Sequence, residues 1–437
     1  MRAPPFGRCL TGRANRSDGQ VLVLFAAGLV AFCGLAAMSI DVGRLTVERR
    51  SLQNTADAAS LAGAAILMDG GSHAAAVAEA IDYGVRNGYT SADLVVNHPP
   101  TSGPLSGDMG AVEVLAAHDV PKYFVGVVYS GQWRASARAV SKMVNTQTGF
   151  GVITLDTSRC SSLAMNSNAQ LKVTGGSIYV NSNCGGSAFS MDSNADASAG
   201  SINIVGGFSG AANVHVTPAP LTHQPPAPDP FAAIPVPPVV SSPDRTGGGC
   251  SFTHGNVTFN PGFYNCKVTL DSNTTATFNP GNYTFKGGMQ LDSNVTVTFG
   301  RGIYVMQGEG FQLNSNAIVN GPNGVLIYNT CATTCGTSGT VQMNSNAKLN
   351  VKPYGAPYAN LVIWQDRNSD KPMQFNSNSL TTAGAIYAKS ADIEYNSNAT
   401  VPMQFVAKNV KMNSLAKIIV DVTGMSTVST KSISLSE

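Results

Sequence analysis

The side chains best equipped for chemistry in this 437-residue chain stand together at one place, Asp366-Arg367-Asn368-Ser369-Asp370, followed by Lys371. Clustered carboxylates beside an arginine are the groups with which carbohydrate-cleaving enzymes move protons. The same residues also make an ordinary polar turn after the apolar run Leu361-Val362-Ile363-Trp364, and that reading is the stronger one. The six histidines, at 73, 98, 118, 215, 223 and 254, are scattered without ligand spacing. There is no Gly-x-Ser-x-Gly elbow, phosphate loop or His-Glu-x-x-His pair. No catalytic residue, metal ligand or cofactor is therefore assigned, and the expectation is a protein that is not an enzyme.

Cysteine is the remaining reactive type. Cys9 and Cys33 lie in or before an apolar N-terminal stretch, whereas the other six fall as near neighbours: Cys160 with Cys184, Cys250 with Cys266, and Cys331 with Cys335. The Cys331-x-x-x-Cys335 spacing alone would suit a metal, but no second close pair or paired histidine completes a zinc set. Disulfides are the better reading, with 15 connectivities formally open, and they imply an oxidising compartment.

The elements that must position these groups are announced by a recurring tripeptide, Asx-Ser-Asn. It occurs at 166–168, 181–183, 192–194, 271–273, 292–294, 314–316, 344–346, 376–378 and 396–398. Its asparagines are Asn166, Asn168, Asn181, Asn183, Asn194, Asn273, Asn294, Asn314, Asn316, Asn344, Asn346, Asn376, Asn378, Asn396 and Asn398. An apolar residue always precedes the triplet (Met165, Val180, Met191, Leu270, Leu291, Leu313, Met343, Phe375, Tyr395), and a small or β-branched one usually follows. Successive triplets from 271 are 21, 22, 30, 32 and 20 residues apart. A step of about 20 residues with excursions fits a coiled stack of short strands whose insertions leave as loops. Asparagine tolerates the left-handed backbone of a tight corner, and identical amides one strand spacing apart can bond as a ladder. A ligand surface for Ca²⁺ or sugar hydroxyls is the alternative, but only Asp192, Asp271 and Asp292 bring carboxylates to the triplets, fewer than calcium repeats use. The asparagines read as scaffold, and Tyr264, Tyr283, Tyr304, Tyr328 and Tyr387 read as rings stacked in the core.

Composition limits the partners. With 27 basic and 25 acidic residues the formal net charge is +2, which offers no electrostatic case for nucleic acid. Charged residues reach only 12%, about half the usual share, as expected of repetitive extracellular β-structure.

In chain order, residues 1–20 form a basic stub. Val21 to Ile40 is 20 residues without a charge, enough to span a hydrocarbon core of about 30 Å. A cleaved signal and a buried core helix compete, but the run exceeds a signal's apolar region and passes straight into helix-forming sequence, so an anchor is expected. Residues 41–88 read as helix, 111–118 and 133–140 as strands, and 121–129 as a short helix. Ten prolines interrupt 217–245 and make it a linker or a long loop along the stack.

Gly19-Gln20, the apolar span, Ile40-Asp41-Val42-Gly43-Arg44, and Arg50-x-Leu52-Gln53-Asn54-x-Ala56-Asp57-Ala58-Ala59-x-Leu61-Ala62-Gly63-Ala64 resemble the N-terminal region of TadG-like proteins of the Flp-pilus, or tight-adherence (Tad), system. The resemblance covers about 19–143. It implies a single-pass protein of the bacterial inner membrane, linked to pilus assembly or adhesion, with its C-terminal bulk in the periplasm or at the surface. Leu24 stands where a processed pilin carries glutamate, so insertion into the fibre is not implied.

The sequence thus predicts a mixed fold: a transmembrane helix (21–40), a small α+β, pilin-like membrane-proximal module (41–148), and an all-β right-handed parallel β-helix. That last part divides into first coils (149–216), the Pro-rich segment (217–245) and a main block with a C-terminal cap (246–437). Expected partners are the membrane through 21–40, other pilus-assembly or envelope proteins and a possible surface glycan, met at the loops 329–340 and 365–372. The alternative function is a membrane-tethered carbohydrate-binding or carbohydrate-cleaving β-helix.

Overall fold

The computed structural model describes residues 18–127, 129–331, 339–344, 346–376, 383–398 and 400–436. It separates into two compact units, one of residues 1–145 with 431–437 and one of residues 146–430.

In the first unit, helix α1 (Asp18–Met68) begins with the apolar run, whose side chains are almost all exposed, and continues into an alanine-rich half. The helix is long and apolar enough at its start to cross a membrane. Predicted as one helical stretch, 41–88 is broken at Asp69-Gly70-Gly71-Ser72, where Gly70 takes φ +82° and Ser72 caps α2 (His73–Arg86) by accepting from the Ala75 amide. Small residues let the two helices approach closely: a Cβ on Gly63 would lie 3.0 Å from the Ala76 carbonyl oxygen. Beside them, Leu94–Asn97 and Arg134–Thr154 pair antiparallel with Ala111–Asp119. The short helix expected over 121–129 is a single 3-10 turn, Val125–Val127. Glu113 is fully buried between these strands. It accepts from Asn97 Nδ2, the Thr101 amide and hydroxyl, the Ser102 hydroxyl and Arg138 Nε, all at 2.8–3.0 Å. Burial alone would raise its pKa, but those donors outweigh it and hold the carboxylate at about 2.

The second unit is a large, mostly parallel sheet system in which short strands fall into three rows. Val268–Leu270, Met289–Leu291, Gly310–Leu313, Thr340–Met343 and Met373–Phe375 succeed one another in the first row. Asn256–Phe259, Thr275–Phe278, Thr296–Phe299 and Ile318–Asn329 do so in the second. Gly262–Tyr264, Tyr283–Phe285, Gly302–Met306, the end of Ile318–Asn329 and Leu361–Gln365 make the third. The chain visits the rows in turn and returns to the first one strand further on, and we call each circuit a tier. Alternation explains the first two rows, since Thr275-Ala276-Thr277-Phe278 buries only its second and fourth side chains and β-branched threonine suits the pleat. Equivalent residues stack, Phe278 on Phe259 at 4.4 Å and Tyr304 on Tyr283 at 5.0 Å between ring centres. Three third-row tyrosines send their hydroxyls back four residues to a corner carbonyl: Tyr264 to Asn260, Tyr283 to Asn279 and Tyr304 to Gly300. The same corner needs glycine at 302, where a Cβ would sit 1.9 Å from the Gly281 carbonyl oxygen.

The tiers do not stack in chain order. The strand segment 405–407 pairs with 152–154, 410–412 with 163–165, and Lys417–Asp421 with 170–174. The tier begun by 410–412 and 417–421 is therefore completed by 150–154, which pairs onward with Ser177–Val180. The tiers of 163–180, 189–204 and 208–217 continue the stack beyond the end of the C-terminal block. The Pro-rich segment connects opposite ends: Leu221, following the last tier's 208–217, bridges to Asn203 in the tier before it, and Asp244 bridges to Phe263 in the first tier.

Candidate functional site

The Asx-Ser-Asn corners lie between the first and second rows. At six of them the third residue takes the left-handed conformation: Asn168, Asn194, Asn273, Asn294, Asn316 and Asn346 have φ of 60–65°. The flanking residues are buried, Leu313 and Ala317 on either side of one triplet, Met343 and Ala347 on either side of the next. The first residues bond side chain to side chain through successive tiers. Asn166 Nδ2 donates to Asn413 Oδ1 (2.7 Å), Asn413 to Asn396, Asn396 to Asn376, Asn376 to Asn344 (2.7 Å), Asn344 to Asn314 (2.9 Å) and Asn314 to Asp292 (2.8 Å). One amide ladder thus crosses the seam between the two blocks of tiers and ends on a carboxylate. Shorter ladders run outside it, from Asn316 to Asn294 and from Asn213 to Asn194. Asn398 is exposed, and Asn378 lies outside the described residues.

One triplet does something else. Asn181-Ser182-Asn183 follows the third row, not the first. Asn181 is buried and clasps Ala227, donating to its carbonyl at 2.7 Å and accepting from its amide at 2.9 Å. Conversely, Asn413-Ser414-Leu415 occupies a genuine corner outside the tripeptide pattern, because Leu415 stands in the place of asparagine. Leu415 nevertheless takes φ +66°, and Met412, Asn413-Ser414 and Ala416 are the signs of the corner in the sequence.

In the Asp366–Lys371 turn, Asp366, Arg367 and Ser369 bond to neighbouring elements or within the turn, while Asp370 is exposed. Asp366 accepts from the hydroxyls of Tyr328 and Thr330 and from the Asn368 amide. The Arg367 guanidinium stacks 4.7 Å from the Trp364 ring centre and 5.7 Å from that of Tyr387. It also donates to the carbonyls of Phe231 (2.7 Å) and Ile234 (2.8 Å). Tyr387 completes the clasp by donating to Asp229 at 2.6 Å. Residues 227–234 of the Pro-rich segment are thereby held as a strap over the third row's outer face. Phe231 and Ala227 close a second apolar cluster there with Phe150, Tyr179, Tyr328, Trp364 and Tyr387. Tyr328 and Tyr387, expected to stack with Tyr264, Tyr283 and Tyr304, thus face outward. The reason is register: Tyr304 aligns with Ile327, so Tyr328 is one residue out of phase and on the opposite face. Burial first, then the adjacent carboxylate, pushes the phenols of Tyr328 and Tyr387 well above their ordinary range. Tyr395, in the inner core, is pushed up to about 12 by burial.

Cys160–Cys184 and Cys250–Cys266 are disulfides, with Cα atoms 5.2 and 6.4 Å apart, each joining successive tiers. Cys331 is also disulfide-bonded, while Cys335 and most of the 329–340 loop lie outside the described residues. Among the described residues no three His, Cys, Asp or Glu side chains gather as a metal site would require.

An apolar N-terminal helix joined to a large, disulfide-stapled and mostly parallel sheet defines the class of molecule. Residues 19–65 match the Flp pilus-assembly TadE/G-like family, and residues 256–423 match a domain of unknown function (DUF7305). No curated protein and no solved structure matches the chain.

Proposed function

We propose that the protein is a membrane-anchored, extracytoplasmic structural or assembly component of a Flp-type (Tad) pilus or adhesion system. Residues 1–20 form the cytoplasmic stub, 21–40 the anchor in the inner membrane, and 41–148 the membrane-proximal module. The tiers of the second unit form a right-handed parallel β-helix that presents its loops to a protein or surface partner, and the protein catalyses nothing. The observation that carries this reading is the family match at 19–65 on an exposed apolar helix. The disulfides, which need an oxidising compartment, the bonding of Asp366 to Tyr328 and Thr330, and that of Arg367 to the strap support it.

Affinity capture of the full-length protein from detergent-solubilised membranes tests the proposal, with co-purification of other pilus-assembly components as the expected result. Recovery without such components would count against it. Cleavage of a glycan by the full-length protein, lost on Asp366→Asn, would replace it with the carbohydrate-active alternative.

A further inference from the structure

Asp41 is the first charged residue after the apolar run, and it is fully buried. Its carboxylate turns away from solvent toward the loop that follows Ala111–Asp119. It accepts from three consecutive backbone amides there, Tyr123 at 3.2 Å, Phe124 at 2.8 Å and Val125 at 2.6 Å. Three amides converging on one carboxylate form an anion cradle, which fixes the loop against α1 at the level where the apolar run ends. What the loop displays is unusual for a water-facing surface. Tyr123, Phe124, Val127 and Tyr129 are 58, 48, 87 and 46% exposed. The only charged group among residues 120–133 is Lys122, with no carboxylate. Its ammonium donates to the Gly131 carbonyl at 2.7 Å and lies 5.9 Å from the Tyr129 ring centre. The Arg44 guanidinium lies 4.4 Å from that of Tyr123.

Amphipathic rings and cations gathered at the end of an apolar helix make up the composition of a membrane–water interface. We propose that loop 121–131 lies in the phospholipid headgroup layer of the bilayer crossed by residues 21–40, and that Asp41 holds it there. This rests on the membrane reading above. The loop gives the anchor a second, laterally offset contact with the bilayer, which restrains rotation and tilt of the helix.

The test uses the full-length protein in vesicles of phosphatidylcholine and phosphatidylglycerol, with a benzophenone amino acid placed at Val127 or, separately, at Val30 within the apolar run. The expected result is photo-crosslinking to phospholipid from both positions. Asp41→Ala should cut labelling from position 127 several-fold and leave that from position 30 unchanged. Lipid adducts from position 30 with none from 127, or only protein–protein adducts from 127, would overturn the inference and leave the membrane reading intact. Failure at both positions would overturn the membrane reading as well. Undiminished labelling from 127 in Asp41→Ala would remove Asp41 from the assignment.

Discussion

The Asn corners and the third-row face belong to the same tiers yet solve opposite problems. At a corner each polar side chain finds its partner in the identical side chain of the next tier, so the repeat is self-sufficient and can face water. On the third row the outward positions are apolar or aromatic, as at Val305, Tyr328, Trp364, Tyr387 and Val406. Stacking like on like cannot hide such side chains from water, because every tier leaves its outer edge exposed. Burial there requires a segment outside the repeat, and the Pro-rich strap provides it. Proline suits the task because a strap needs an extended backbone with few donors to satisfy. Repetition therefore marks the side that stabilises itself, and its breakdown marks the side that something else must cover.

The largest effect should come from uncovering the strapped face. Phe231→Ala removes a buried ring that meets those of Phe150 and Tyr387 at 6.2 and 5.4 Å, and should cost about 4 kcal/mol. Trp364 fluorescence during urea unfolding, in a Trp133→Phe background, reads this directly; a loss under about 1 kcal/mol would mean the strap does not seal the face. Next, Cys250→Ser with Cys266→Ser should cost about 3 kcal/mol and concentrate at the end tier, speeding tryptic cleavage after Arg245 and Lys267. Unchanged digestion there would show that the end tier needs no staple. On the self-sufficient side, Asn344→Ala leaves one ladder donor and one acceptor without partners at a half-exposed corner. It should lower stability by about 1–2 kcal/mol with strap fluorescence preserved, and an effect as large as that of Phe231→Ala would erase the contrast. The smallest effect should be a gain. Leu415→Asn puts the residue tolerant of φ +66° where a branched side chain sits, and should raise stability by about 1 kcal/mol, visible as a higher Tm; a lower one would mean that Leu415 contributes packing that outweighs its backbone strain.

Much of the corner was legible in the sequence because its cause is local: a left-handed backbone and an apolar flank are written in adjacent residues. Asn181 shows the limit, since the same tripeptide serves a different corner and only its partner Ala227 reveals which. Leu415 shows the converse, a corner without its signature, held by the register of its neighbours. The outward turn of Tyr328 depends on a one-residue phase shift that tyrosine spacing alone does not disclose. The joining of 152–154 to 405–407 was not readable, because nothing near either segment marks a partner 253 residues away. Asp41 was visible only as part of a family-like stretch; its loop partners lie 82–84 residues on.

Both crossings between the two units occur at that completed tier. The chain comes in through Arg134–Thr154 and goes back out through Thr427–Leu435, and residues 431–437 rejoin the first unit. Mechanically, the stack is a closed loop hung from two tethers. Tension along the backbone between the N-terminal helix and the C-terminus can pass through the first unit without peeling a single tier. A pull exerted by something attached to the stack therefore reaches the first unit through two connections of the chain, where a stack at a chain end would have one.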